Sequence, residues 1–118
     1  MVTPYPQKVS ERGKTFLEGN GFTVVDMKGL GLENFSEIAR QRPQVIYDLA
    51  KKADHRDADG IFISCTDFRA LEVVELLEKD LRKPVVSANQ ASLWLALRQL
   101  NINEAIQGYG MLLRSGSN

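Results

Sequence analysis

The sequence predicts an α/β domain in three layers, a parallel sheet covered by helices on both faces. Three observations carry that expectation. Stretches with apolar residues at helical intervals alternate with short β-branched runs, in the order helix, strand, helix, strand, helix, strand, helix. Proline and glycine sit at the joints between them. At the centre, Gly60-Ile61-Phe62-Ile63-Ser64-Cys65-Thr66-Asp67-Phe68-Arg69 reads as strand and turn, running directly into a helix. A chain of 118 residues suits one core and one domain, expected over 1–118 with a frayed tail at 115–118.

Taken in order, Thr3-Pro4-Tyr5-Pro6 is extended or turn-like, because each proline fixes its own φ and moves its predecessor out of the helical region. Pro6 opens a helix to about Glu18, with Val9, Phe16 and Leu17 as its buried stripe and Gly13 admitting a close neighbour. Gly19-Asn20-Gly21 ends it. Phe22-Thr23-Val24-Val25-Asp26-Met27 has the composition of a strand. Lys28-Gly29-Leu30-Gly31-Leu32 is expected as a loop whose glycine spacing matches no phosphate-binding pattern.

Asn34 is placed to cap a short helix over 35–40, and Pro43 opens a clearer one to Ala53, with Val45, Ile46, Leu49, Ala50 and Ala53 on one face. The charged loop Asp54–Asp59 follows, and its His55 reads as a surface residue because no apolar wall surrounds it. After the central strand, the helix to Leu81 places Glu72, Glu75, Glu78, Lys79 and Asp80 on what looks like a solvated face. Lys83-Pro84-Val85-Val86-Ser87 is the third strand, and Ser87 or Asn89 caps a helix over 90–100. That helix is apolar almost all round, which predicts burial on more than one side and an interface anchored by Trp94. A first strand is missing from this scheme, since only Met1-Val2-Thr3 precedes the first helix.

Composition narrows the function. Fifteen basic and fifteen acidic side chains cancel and are mixed along the chain, which argues against nucleic acid or an anionic membrane as partner. One cysteine and one histidine give no internal disulfide and no zinc-ligand cluster, so no protein-bound metal is expected. The N-terminal residues lack a secretory pattern, and the expectation is a cytoplasmic protein.

Cys65 is the residue to explain. It stands at the carboxyl end of a strand, where open α/β sheets bind ligands. A thiol beside a helix start faces unpaired N–H groups and the positive end of the macrodipole, both of which favour thiolate, and Arg69 is a candidate cation nearby. The plainer reading is a small apolar residue at a strand end. A cysteine phosphatase fits poorly, because only three residues separate Cys65 from Arg69 and no glycine-rich nest lies between them.

Four stretches together carry a resemblance: Thr3-Pro4-Tyr5, then Ser64-Cys65-Thr66-Asp67-Phe68-Arg69-Ala70-Leu71, then Lys83-Pro84-Val85-Val86-Ser87-Ala88-Asn89-Gln90-Ala91-Ser92-Leu93-Trp94, then Gly108-Tyr109-Gly110-Met111-Leu112-Leu113. In order and spacing they resemble the second half of the maleate cis-trans isomerase and arylmalonate decarboxylase branch of the aspartate/glutamate racemase superfamily. The resemblance implies a flavodoxin-like lobe and cofactor-independent chemistry on small dicarboxylates or malonates, in a cleft between two lobes. It gives Cys65 the role of acid, base or proton donor to carbon. It makes Tyr5, Thr66, Asp67 and Asn89 the substrate-side residues, with Tyr5 bonding a carboxylate or enediolate and the N–H at Thr66 supporting the anion. It also exposes departures: the first lobe and its cysteine position have no counterpart here, and Asp67 stands where asparagine is expected. Two functions follow as expectations. One is an isomerase, racemase or decarboxylase-like protein that acts as a homodimer or with a complementary lobe. The other is a noncatalytic half-length remnant that self-associates and binds a small carboxylate.

Overall fold

A computed structural model describes residues 1–116. The elements are β1 (Val2–Thr3), α1 (Gln7–Gly19), β2 (Lys28–Gly29), α2 (Phe35–Ala39), α3 (Pro43–Ala53), β3 (Ile61–Ile63), α4 (Leu71–Leu81), β4 (Val85–Ser87), α5 (Ala88–Gln99) and α6 (Met111–Arg114). All strand pairs are parallel, in the order β2-β1-β3-β4. The expected α/β class is therefore present. The first strand is reduced to two residues rather than lost, and it lies inside the sheet, where Val2 and Thr3 are fully buried.

The register explains which side chains face which way. Val2 pairs with Ile63, and Ile61, Phe62 and Ile63 pair with Val85, Val86 and Ser87. Successive side chains alternate faces, so Val2, Ile61, Ile63 and Val85 share one face, and all are buried. Helices α3 and α4 pack on each other and contribute Ile46, Ala50, Ala53, Val73, Val74 and Leu77 to this core. Thr3, Phe62 and Val86 face the other way. Right-handed crossovers put α1 on that second side, and a 2.5 Å contact between the Thr3 and Ser10 hydroxyls joins β1 to α1 there.

Several expectations change. Phe22–Met27 is extended but forms no strand, and pairing with β1 falls instead on Lys28 and Gly29, inside the expected loop. The cause is register: Lys28 N–H donates to the Met1 carbonyl at 3.1 Å, and Leu30 N–H to Thr3 at 3.2 Å, so a two-residue β1 offers no acceptor to the segment before. Gly29 is needed at that point because a Cβ there would lie 3.2 Å from the Tyr5 carbonyl oxygen. The α1 stripe is also different. Val9 and Phe16 are exposed, and α1 buries Ser10 and brings Gly13 against Met1, where a Cβ would come within 2.8 Å of Cε.

Glu78, placed by its neighbours on a solvated face, is only 9% exposed. It accepts from the backbone N–H groups of Val85 (3.1 Å) and Met111 (2.8 Å), tying α4 to β4 and to α6. Helix α5 is not buried on several sides within this chain. Gln90 is its only buried residue, while Leu95 and Leu100 are 54% and 69% exposed. Trp94 stacks under Arg98 at 5.1 Å. Of the expected frayed tail, Ser117 and Asn118 lie outside the described residues, whereas Ser115 is held by N–H donation to Met111 and by Arg98 on its carbonyl. No helix among the described residues is long and apolar enough to cross a membrane.

Candidate active site

At the carboxyl ends of β1 and β3, Tyr5, Cys65, Thr66 and Asp67 lie on the turns that leave the strands, and Asn89 lies in the first turn of α5 directly after β4. Beyond β3, Ser64 N–H donates to the Val2 carbonyl at 2.9 Å and carries the chain one step further along β1. Cys65 then turns out of the sheet with φ of 87°, in the left-handed half of backbone space. For a residue with a side chain, holding such a conformation costs about 1–3 kcal/mol and requires surrounding structure to enforce it. Phe68 supplies that enforcement. Its ring is 1% exposed, and its N–H closes the turn onto the Cys65 carbonyl at 3.4 Å.

Cys65 itself is buried among apolar neighbours yet stands at the rim. Helix α4 begins at Leu71, so a five-residue turn separates it from the thiol and the direct macrodipole contact expected from sequence is absent. The donors near the sulfur are instead those of the turn. Among the described residues, the backbone N–H groups of Thr66 and Asp67 donate to no protein acceptor. Consecutive unpaired N–H groups on a turn are the donors from which anion sites are built. Arg69 does not join them: its guanidinium is held by Glu72 through contacts of 2.9 and 3.1 Å on the exposed side of α4.

Tyr5 leaves β1 toward the same rim. Its backbone is fixed on both sides, N–H donating to Thr3 Oγ1 at 3.0 Å and the carbonyl accepting from Gly31 N–H at 3.3 Å and Ser10 Oγ at 3.4 Å. The phenol lies close enough to Cys65 and Ser64 for both to act on its ionisation. Its pKa is pushed up to about 12, first by burial, then by the hydrogen bond and charge of Cys65 and the charge of Asp67, with Ser64 opposing. At neutral pH it is a proton-bearing donor aimed at the sulfur's surroundings. Asn89, from α5, reaches across to donate Nδ2–H to the Thr66 carbonyl at 3.0 Å, so it braces the cysteine turn. Of the two proposed caps, Ser87 is the one used, in a reciprocal capping box with Gln90.

Sequence reasoning missed Ser64 beside Tyr5, and the buried Thr3–Ser10 hydroxyl pair that sets the Tyr5 turn. Gln90, the fourth residue of a Ser-x-x-Gln box, was legible as a cap partner. Its second role, donation to the Tyr109 carbonyl at 2.6 Å, was not. His55 is a surface residue, accepting from Asp57 N–H at Nδ1. The most apolar concavity, about 240 Å³, lies at the opposite, amino end of the strands between Leu17, Phe22, Val24, Phe62 and Val86. It holds no thiol or imidazole, and it belongs to the thinly covered second face of the sheet.

A parallel sheet with a lone thiol at its carboxyl rim defines a cysteine-bearing α/β lobe. The family model described as arylmalonate decarboxylase matches residues 1–113, and the chain belongs to that family. Among curated relatives, the maleate isomerase of Nocardia farcinica is 32% identical over 118 residues, covering 99% of this chain and 47% of its own. The arylmalonate decarboxylase of Bordetella bronchiseptica is 31% identical over 115 residues, 95% of this chain and 48% of the relative. A solved structure of the Nocardia farcinica maleate cis-trans isomerase, a cysteine-to-serine mutant with a covalently bound succinylcysteine intermediate, superposes with a TM-score of 0.94 at 30% identity, over 98% of this chain and 48% of that one. The chain spans about half the length of the relatives it matches.

Proposed function

We propose that Cys65 is the reacting thiol of a half-site for small carboxylates, and that a second copy of the chain supplies the facing wall to complete it. The observation that carries this reading is the phenol of Tyr5 set against Cys65 beside the free amides of Thr66 and Asp67. In the Nocardia farcinica relative the succinyl group is carried in a cysteine-to-serine mutant, hence by a cysteine other than the replaced one, and a saturated succinyl group on sulfur is what addition of a thiol to a four-carbon unsaturated diacid leaves. It supports a site in which a facing thiol adds to the ligand and Cys65 works beside it.

On an unsaturated diacid, the thiolate on the facing wall, Cys65 of the second copy, forms a C–S bond to one alkene carbon, and the π pair moves to the neighbouring carbon and its carboxylate, beside the Cys65 thiol of the first copy. The former double bond is then single and rotates. Return of the electron pair expels the thiolate and leaves the trans isomer. On a malonate, loss of CO2 leaves the pair as an enediolate, and the Cys65 thiol delivers a proton to carbon. In both cases negative charge grows on carboxylate oxygen, and donors already in place for it lower the barrier. Tyr5 O–H and the two turn amides are those donors. Asn89 acts through Thr66, holding the turn.

A second reading, a noncatalytic half-length lobe that self-associates and binds a carboxylate, is favoured by the coverage of only about half of each relative. The test is to incubate the chain with maleate, aspartate, glutamate and arylmalonates, and to follow isomerisation, racemisation and CO2 release against Cys65→Ala. Turnover that Cys65→Ala abolishes is the expected result. Traces identical for the two proteins would remove the catalytic reading and leave the second.

A further inference from the structure

The charge balance at the thiol end of the site is one-sided. The turn after Cys65 carries Asp67, exposed at the rim and close enough to Tyr5 for its charge to act on the phenol. Among the described residues Asp67 has no ion-pair partner. The cation that sequence placed here, Arg69, is paired through its Nε–Nη2 edge with Glu72 in a two-bond contact, so its charge is matched on its own helix. Asn89, the other polar side chain at this rim, spends its amide N–H on the Thr66 carbonyl and brings no charge. A ligand group seated at Cys65 is thus met by two amide N–H groups, one neutral phenol and one carboxylate.

We propose that Asp67 is a specificity residue, which turns the Cys65 end of the site against a second negative charge. The favoured ligand is a small acid whose single carboxylate lies toward the facing wall, while the end at Cys65 is uncharged, as in the monoamide of an unsaturated diacid. The dianion is the disfavoured form. This rests on the reading of Cys65 as the reacting thiol, and it deepens that reading by naming which ionic form of a small acid the site takes. The physical basis is plain Coulomb repulsion. Two like charges several ångströms apart at a wetted rim repel enough to change a rate or an affinity by about threefold, and more where water is excluded.

The experiment needs no turnover. Cys65 is the only cysteine of the chain, so its alkylation is read without interference. Rates with iodoacetate, which brings a carboxylate to the sulfur, and with iodoacetamide, its neutral counterpart, are measured at one pH. Their ratio cancels any change in the thiolate fraction. Asp67→Asn is expected to raise the iodoacetate-to-iodoacetamide ratio about threefold, while Asp59→Asn, on the loop at the other end of β3, leaves it unchanged. A ratio unmoved by Asp67→Asn, or moved equally by Asp59→Asn, would overturn the proposal. Absence of turnover on the carboxylate panel and on the monoamide of maleate together would instead count against the catalytic reading and leave this ratio interpretable.

Discussion

The two faces of one sheet are finished to different degrees. On the side of α3 and α4, Val2, Ile46, Ile63, Val74, Leu77 and Val85 are all fully buried, a closed core in which each side chain is surrounded by others. On the side of α1, the sheet residues Phe62 and Val86 stay half-buried and Phe16 on α1 lies open, and Leu95 on α5 and Leu100 just past its end are open as well. Apolar area left in water forgoes about 25 cal/mol per Å², and monomeric proteins rarely leave a large contiguous patch uncovered. The first face is closed within the chain, while the second keeps apolar area that the proposed second copy would cover. The same incompleteness marks the carboxyl rim, where donors for an anion are present on one wall only.

The contrast can be broken by substitution. Leu77→Ala and Ile46→Ala on the closed face should each cost about 2–5 kcal/mol in denaturant unfolding, whereas Leu95→Ala on the open face should change monomer stability by less than about 0.5 kcal/mol. Equal losses on both faces would contradict the distinction. Glu78→Gln comes next. It takes a buried acceptor of two backbone N–H groups and substitutes an amide that cannot accept on both sides, at about 1–3 kcal/mol, with loss of protection at Met111 N–H in hydrogen exchange.

Smaller effects belong to the rim. Asn89→Ala frees the Thr66 carbonyl and should cost about 1 kcal/mol, and a matching change in Cys65 alkylation rate would show that the turn has loosened. Tyr5→Phe is the finest probe. Its phenol is raised to about 12 in the folded chain against 10.0 for a free tyrosine, so folding favours the protonated form. The corresponding stability is complete below pH 10 and is lost as pH climbs toward 12. Ultraviolet titration of the folded protein should show a phenolate step near pH 12 that Tyr5→Phe removes. A wild-type curve with no step above the ordinary tyrosine range would contradict the packing of Tyr5 against Cys65.

How much of this could be read from sequence divides along the same line. Helices α3 and α4 were plain from Pro43 and from apolar residues at i, i+3 and i+4, because both are amphipathic against one core. Cys65 and its turn were legible as a junction of two periodicities. The second face was not, since Thr23-Val24-Val25 has strand composition but no partner backbone, and pairing that depends on register with a two-residue strand has no composition signature. Arg69 and Glu78 were misjudged for a related reason. A charged residue on a helix declares its charge but not its partner, and here Arg69 turned to its own helix while Glu78 turned inward to two amides.

Light scattering across protein concentration tests the central claim most directly, that the open face and the rim are completed by a second copy. The account predicts a mass rising from that of the 13.2 kDa chain toward twice it, and a return to the single-chain value with Leu95→Glu and Leu100→Glu together. A wild-type protein that stays at single-chain mass at every concentration would contradict it.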